Sequence, residues 1–211
     1  MKKRKIVDIQ IQSRRKNRRS IFLDDGSVFG ISEDVFFTVP IHIGDTISDQ
    51  ALDDIFKAES KVKIYDAAVN LLSYRMRSKS ELRNRLIRKK YHKGEISDVI
   101  KNLEIKGYLD DEKFAIAFAK DKVNNRLIGP IALRFELSAH ELEVQLIDKT
   151  INSIYNIYPP KDIIKRLINK WKLIDRINES STVKNKIINR LKNKGFYWDD
   201  IQDVIYSLEN K

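Results

Sequence analysis

Laid over itself with a shift of 105 residues, segment 82–103 meets segment 187–208 at nine identities. They are Asn84 with Asn189, Arg85 with Arg190, Leu86 with Leu191, Lys89 with Lys194, Ile96 with Ile201, Asp98 with Asp203, Val99 with Val204, Ile100 with Ile205 and Leu103 with Leu208. Average residue frequencies would give about one or two. A shift of 51 puts Leu133, Leu137, Ile147, Ile151 and Ile154 on Leu82, Leu86, Ile96, Ile100 and Leu103, keeping the apolar skeleton and losing the charges. The apolar spacing of three and four makes the repeated unit helical, and three copies of a three-helix unit account for residues 61–211. Such copies bury their apolar faces on their neighbours, so the expected fold is mainly α, an elongated curved body of tandem repeats. The copies are expected at 61–108, 109–158 and 159–211, with Pro159-Pro160 at the last joint.

Within the first copy, Ser78 with Glu81 three residues later is a capping box, in which each side chain satisfies an amide at the helix start. Gly94 is expected to separate the second helix from the third. Gly107 fits the left-handed position past a helix end, and Asp110 with Asp111 fits the cap and first turn of the next helix.

Residues 1–60 read differently. Ile6–Gln12 is mostly alternating and β-branched, a basic hexamer Arg14–Arg19 follows, and Ser20–Leu23 and Val28–Ile31 flank the turn Asp24-Asp25-Gly26-Ser27. This predicts a small three-stranded antiparallel sheet as an N-terminal extension. Ser32 with Glu33 and Asp34 then caps a short helix through Phe37, ended by Pro40. From Ser48 onward Leu52, Ile55 and Phe56 have helical spacing.

Composition removes several function classes. There is no cysteine, so there is neither a disulfide nor a thiolate metal site, and a cytoplasmic location is expected. His42, His92 and His140 are far apart, and the glycines never form a phosphate-cradling loop, so no cofactor is expected. Ala115–Ala119 is far too short an apolar run to span a membrane, and the basic start Met1–Lys5 leads into alternating residues without a signal-peptide core. A soluble protein without a visible export signal is expected, and it is expected to be a monomer.

The net charge of +11 calls for an anionic partner, but it lies in blocks. Residues 1–20 carry +8, 21–60 carry −8, 61–106 carry +8, 107–158 carry −2 and 159–211 carry +5. The first arm and the segments 61–106 and 159–211 are therefore the candidates for contact. On a wheel of 100° per residue Arg85, Arg88 and Lys89 fall in one stripe beside the apolar seam of Leu82 and Leu86. Arg190 and Lys194 recur at matched positions in the third copy, whereas the middle copy has Glu136 and His140 there.

Longer motifs carry a resemblance. Ala67–Leu72 with Ser73-Tyr74-Arg75-Met76-Arg77-Ser78-Lys79-Ser80-Glu81-Leu82, then Gly107-Tyr108-Leu109-Asp110-Asp111-Glu112-Lys113-Phe114-Ala115, then Gly129-Pro130 with Leu133 and Glu136-Leu137, resemble the bacterial RecX regulatory proteins. The sheet ending in Phe29–Val35 resembles the extension of Gram-positive-type members. The resemblance implies a regulator without catalysis that binds the RecA recombinase filament on DNA. It would restrain strand exchange, ATP hydrolysis and the filament's coprotease function in recombination and SOS repair. Candidate contacts to RecA or DNA are Arg75, Arg77, Arg85, Arg88, Lys89, Arg126, Arg190 and Lys194. The chain departs from the family pattern at Ser138-Ala139-His140-Glu141, where a Lys-Gly break is usual, which leaves the end of that helix open.

Two other functions are compatible with the residues. A stand-alone DNA-binding protein would use the same stripes on phosphates. A metal-dependent nuclease would need carboxylates free to hold a cation, but Asp110-Asp111 reads as a helix cap, and Asp24-Asp25, Asp53-Asp54 and Asp199-Asp200 read no differently. Trp171, Trp198, Tyr74, Tyr91 and Phe196 could stack on bases, yet repeat cores use such residues routinely. His140 is expected to face solvent.

Overall fold

The computed structural model describes residues 3–174, 177 and 179–209. Its described residues gather into two compact units, one from residues 3–75 with 82–108 and the other from 76–81 with 109–209. In the first unit β1 (Lys3–Gln12), β2 (Arg15–Leu23) and β3 (Val28–Ser32) form the expected antiparallel meander. A fourth strand the sequence does not announce, β4 (Thr46–Ser48), pairs with β1 and gives the order β3-β2-β1-β4. Three residues are too few for an alternating signal, and only Ile47 of β4 is buried. Helix α1 (Glu33–Thr38) starts at Ser32, whose side chain accepts from the Val35 amide, as its spacing requires. Ile6, Ile21, Ile31, Val35, Ile47, Leu52 and Ile55 make one apolar cluster between the sheet and α2 (Asp49–Tyr74). Residue 60, where the sheet extension was expected to give way to the repeats, lies inside α2.

The charge blocks of residues 1–20 and 21–60 meet inside this unit. Arg4 pairs with Asp25 and Asp49 at 2.9 Å each, Arg18 with Glu59 at 2.7 Å, and Arg19 with Glu33 at 2.7 Å. The basic hexamer is thus largely strand, and its two most inward arginines are occupied. Glu59 is 3% exposed and also accepts from the Ser32 amide at 2.6 Å. Burial alone would push its carboxyl up, but the Ser32 amide and the Arg18 guanidinium outweigh this and hold it below the ordinary value. A depressed carboxyl contributes stability above its unfolded pKa and loses it as pH falls through the folded one. Glu59→Gln is therefore expected to lower stability at neutral pH and to flatten the acid limb of a pH series of urea unfolding. A parallel limb in the variant would remove Glu59 as its source.

The three-copy reading holds helix by helix. Copy one uses the end of α2, α3 (Lys79–Arg88) and α4 (Lys93–Ile105). Copy two uses α5 (Asp111–Asp121) prolonged by a π-helical turn (Lys122–Arg126), α6 (Pro130–Ser138) and α7 (Val144–Ile157). Copy three uses α8 (Pro160–Lys170), α9 (Ser181–Asn193) and α10 (Trp198–Glu209). The matched apolar residues are buried in every copy: Leu82, Leu86, Ile96, Ile100 and Leu103; Leu133, Leu137, Ile147, Ile151 and Ile154; Ile187, Leu191, Ile201 and Ile205. Leu208 packs partly buried against the same core.

Helix breaks correct one expectation and answer one question the sequence leaves open. Gly94 lies inside the first turn of α4, and the chain instead turns at Lys90, whose φ is 65°. The residues one shift away, Glu141 (φ 54°) and Gly195 (φ 83°), take the same left-handed conformation. Each donates its amide three residues back: Lys90 to Ile87 at 2.8 Å, Glu141 to Ser138 at 3.0 Å and Gly195 to Lys192 at 2.8 Å. The second helix of the middle copy therefore ends at the shared register without a Lys-Gly pair. At the other signals the sequence holds: Gly107 is left-handed at φ 75°, Ser78 accepts from the Glu81 amide at 3.1 Å, and Asp110 accepts from the Lys113 amide at 3.0 Å. Asp111 accepts from the Lys79 amide at 2.9 Å, tying the start of α5 to the start of α3.

Candidate basic interface

Helix α3 buries Leu82 and Leu86 completely, and that fixes where its bases go. Arg85, Arg88 and Lys89 stay exposed on one stripe, and neither Arg88 nor Lys89 has an acidic partner among the described residues. Cations in the last turn also favour the negative end of the helix dipole, so part of their placement is local. Arg75 is exposed at the C-terminal cap of α2. Arg77 is 7% exposed, and its guanidinium pairs with Glu81 of the capping turn. It holds the start of α3 rather than offering a contact.

The second unit brings Arg126 and Lys194 together. The Lys194 ammonium donates to the Arg126 carbonyl at 2.9 Å, while the Arg126 guanidinium donates to Glu136 at 2.9 Å. Glu136 also pairs with Lys122, so the acid that stands where the outer copies have Arg85 and Arg190 is neutralised twice. Arg190 is exposed with its guanidinium 3.9 Å from the centre of the Trp171 ring. This stacking uses the ring's negative face and fixes the arginine's direction. His140 does not simply face solvent: its ring sits edge-on against Phe114 and Phe118, with centroids 4.9 and 4.7 Å apart. Short, two-faced helices leave room for an imidazole at the core's edge.

The aromatic expectation divides. Phe196 is core at 2% exposure, and Trp171 and Tyr91 are partly buried. Trp198 at 43% and Tyr74 at 76% are open to solvent. Sequence reasoning passed over Arg166, Lys170 and Lys172, which line one groove with Asn124, Asn125 and Asn169. The i, i+4 spacing of Arg166 and Lys170 on α8 was a signal for one basic face. Nothing local joins them to the asparagines of the π-helical turn. Among the described residues no helix is long and apolar enough to cross a membrane.

Fold and surface together define a class, a helical-repeat protein with a small β extension and bases presented from its second helices. The comparisons narrow it. Residues 65–103 match the model of the RecX first three-helix domain. Regulatory protein RecX of Listeria monocytogenes serovar 1/2a is 28% identical over 194 residues, covering 91% of this chain and 71% of the relative. That of Clostridium botulinum strain Eklund 17B is 24% identical over 202 residues, covering 95% and 94%. A crystal structure of regulatory protein RecX shares the fold, with a TM-score of 0.78 and 24% identity over 95% of this chain and 98% of its own. RecX from Lactobacillus salivarius superposes with a TM-score of 0.66 and 26% identity over 73% of this chain and 99% of its own. The chain is similar in sequence to RecX regulatory proteins along nearly its whole length, and it shares their fold.

Proposed function

We propose that this chain binds the RecA filament on DNA and negatively modulates its strand exchange, ATP hydrolysis and coprotease function, acting as a cytoplasmic monomer without catalysis of its own. The observation that carries the reading is the match to RecX relatives along nearly the whole chain, sheet extension included. The sheet extension, residues 1–60, and the copies at 61–108, 109–158 and 159–211 are its working parts. The bases Arg85, Arg88 and Lys89 in the first copy and Arg190 and Lys194 in the third are the proposed contacts, together with Arg75 and Arg126. A basic surface of this kind suits the phosphates or acidic side chains of a filament, where complementary charge steers association.

The test is RecA strand exchange and ATP hydrolysis against added protein, with filament length followed by electron microscopy. Both activities are expected to fall as the protein is added, with no cleavage of the DNA. Unaltered kinetics with the protein in excess overturn the reading.

A further inference from the structure

Between the π-helical turn and the end of α8 lies a groove of about 470 Å³ lined by Asn124, Asn125, Arg166, Asn169, Lys170 and Lys172. Among the described residues its polar lining is three cations and three amides, with no carboxylate. Elsewhere in the same unit bases meet acids: Lys149 pairs with Glu112, Lys161 with Asp203, Lys184 with Glu209, and Arg134 with Asp148. Among the described residues Arg166, Lys170 and Lys172 make no ion pair. Keeping three like charges around one recess raises its positive potential, and an anion entering it relieves their repulsion.

Both walls carry backbone strain. The π-helical turn closes on Leu127 at φ 50°, and α8 runs through its cap Trp171 into Lys172 at φ 56°. Neither is glycine, so each left-handed residue is strained. π-helical turns occur often at functional sites, and this one puts Asn124, Asn125 and Leu127 on the groove wall. Its amides are oriented: Asn125 donates to Asp121 at 2.6 Å and Asn124 to the Tyr158 hydroxyl at 3.4 Å. The dipole at the end of α8 explains a base such as Lys170 in its last turn. It does not explain Arg166 one turn earlier, or the asparagines opposite.

We propose that this groove binds the phosphodiester backbone of single-stranded nucleic acid directly, without RecA. Guanidinium, ammonium and amide donors on two walls match oxyanions that carry several acceptors each. An acidic protein segment is a poorer occupant, because Leu127 is the one apolar lining residue among those described and protein interfaces take their energy from buried apolar anchors. A recess also suits a strand that can bend into it better than a rigid duplex. The site rests on the DNA contact in the function proposed above and shares no residue with the stripes assigned to the filament.

The experiment is anisotropy of a short labelled oligothymidylate with the full chain and no RecA, at low and moderate salt. The triple variant Arg166→Gln, Lys170→Gln, Lys172→Gln is expected to bind roughly tenfold more weakly, with a shallower salt dependence. A control lacking the same charge elsewhere, Lys57→Gln, Lys93→Gln, Lys101→Gln, should bind nearly as the parent does. Asn169→Asp, a single exposed change that puts a carboxylate in the groove, should reproduce the loss and guards against instability of the triple variant. Equal binding by groove and control variants overturns the site. Competition by polyglutamate or by inorganic triphosphate as effective as that by unlabelled oligonucleotide overturns the phosphodiester assignment, and equal affinity for duplex overturns the single strand. Strand-exchange assays on the same proteins separate the two readings. If the parent binds the oligonucleotide through the groove but leaves RecA unaffected, the groove stands and the filament function fails.

Discussion

Gly195→Ala should lower stability by about 3 kcal/mol or more. A methyl group at this position would lie 2.3 Å from the Ala132 nitrogen and 2.5 Å from its Cβ, and no flexible side chain is there to move aside. Overpacking costs roughly 1–3 kcal/mol, and the residue's φ of 83° adds about 1 kcal/mol for any side chain. The contact is backbone against backbone. Gly195 accepts from the Ile131 amide at 3.0 Å, the Gly129 amide donates to Lys194 at 2.8 Å, and a Cβ on Gly129 would come within 2.3 Å of the Gly195 oxygen. Moving apart to admit a methyl group would break both bonds that join α9 to the start of α6. For a chain of this size the melting temperature should fall by roughly 6–12 °C. Gly107→Ala separates the causes, since Gly107 has a φ of 75° but nothing within 4 Å of the added carbon, and about 1 kcal/mol is expected there. Equal losses in the two variants, read by thermal and urea unfolding, would show that crowding at Gly195 contributes nothing.

The second large effect concerns binding. Arg85→Glu with Lys89→Glu is expected to weaken attachment to RecA–DNA filaments at least tenfold, because each exposed base becomes a repulsive charge against an anionic surface. Exposed changes of this kind usually move stability within about 0.5 kcal/mol each, so circular dichroism should be unchanged. Arg190→Glu with Lys194→Glu should also weaken binding, but at some cost in folding, because Arg190 lies over Trp171 and Lys194 holds the Arg126 carbonyl. Glu136→Ala with His140→Ala should not weaken it, since losing Glu136 releases Lys122 and Arg126 from their acid. The losses should shrink at high salt, where screening has already removed the advantage of the bases. A titration of the three double variants at two salt concentrations reads all of this. Losses as large from the middle copy as from the outer ones would move the contact away from the stripes.

The repeats were legible because burial imposes one spacing on every copy, and the residues it selects, from Leu82 to Ile205, survive when the charges between them do not. Helix ends were less legible. Glycine at 94 looked like punctuation, but the turn falls at Lys90, and only its register with Gly195 reveals it. Strand β4 was too short to show a period. The pairing of Arg4, Arg18 and Arg19 with acids up to 45 residues away depends on the folded sheet, so a sequence showing a bare basic arm overstated what that arm has to offer. The surface bases were readable where one helix carries them, as on α3. They were not readable where the groove takes half its lining from a π-helical turn and half from the end of α8, because no single period spans both.

The chain's two tryptophans both fall in its last 53 residues, and each lies under a cation, Trp171 beneath Arg190 at 3.9 Å and Trp198 beneath Lys192 at 4.4 Å. Ultraviolet emission excited at the indole band therefore comes from the third copy alone. The sheet and the first copy, with only tyrosine and phenylalanine, are dark at those wavelengths. When α9 parts from α8 and α10, each indole loses its overlying charge, so the emission spectrum is an optical clock for that one copy, running separately from the backbone signal of the whole chain.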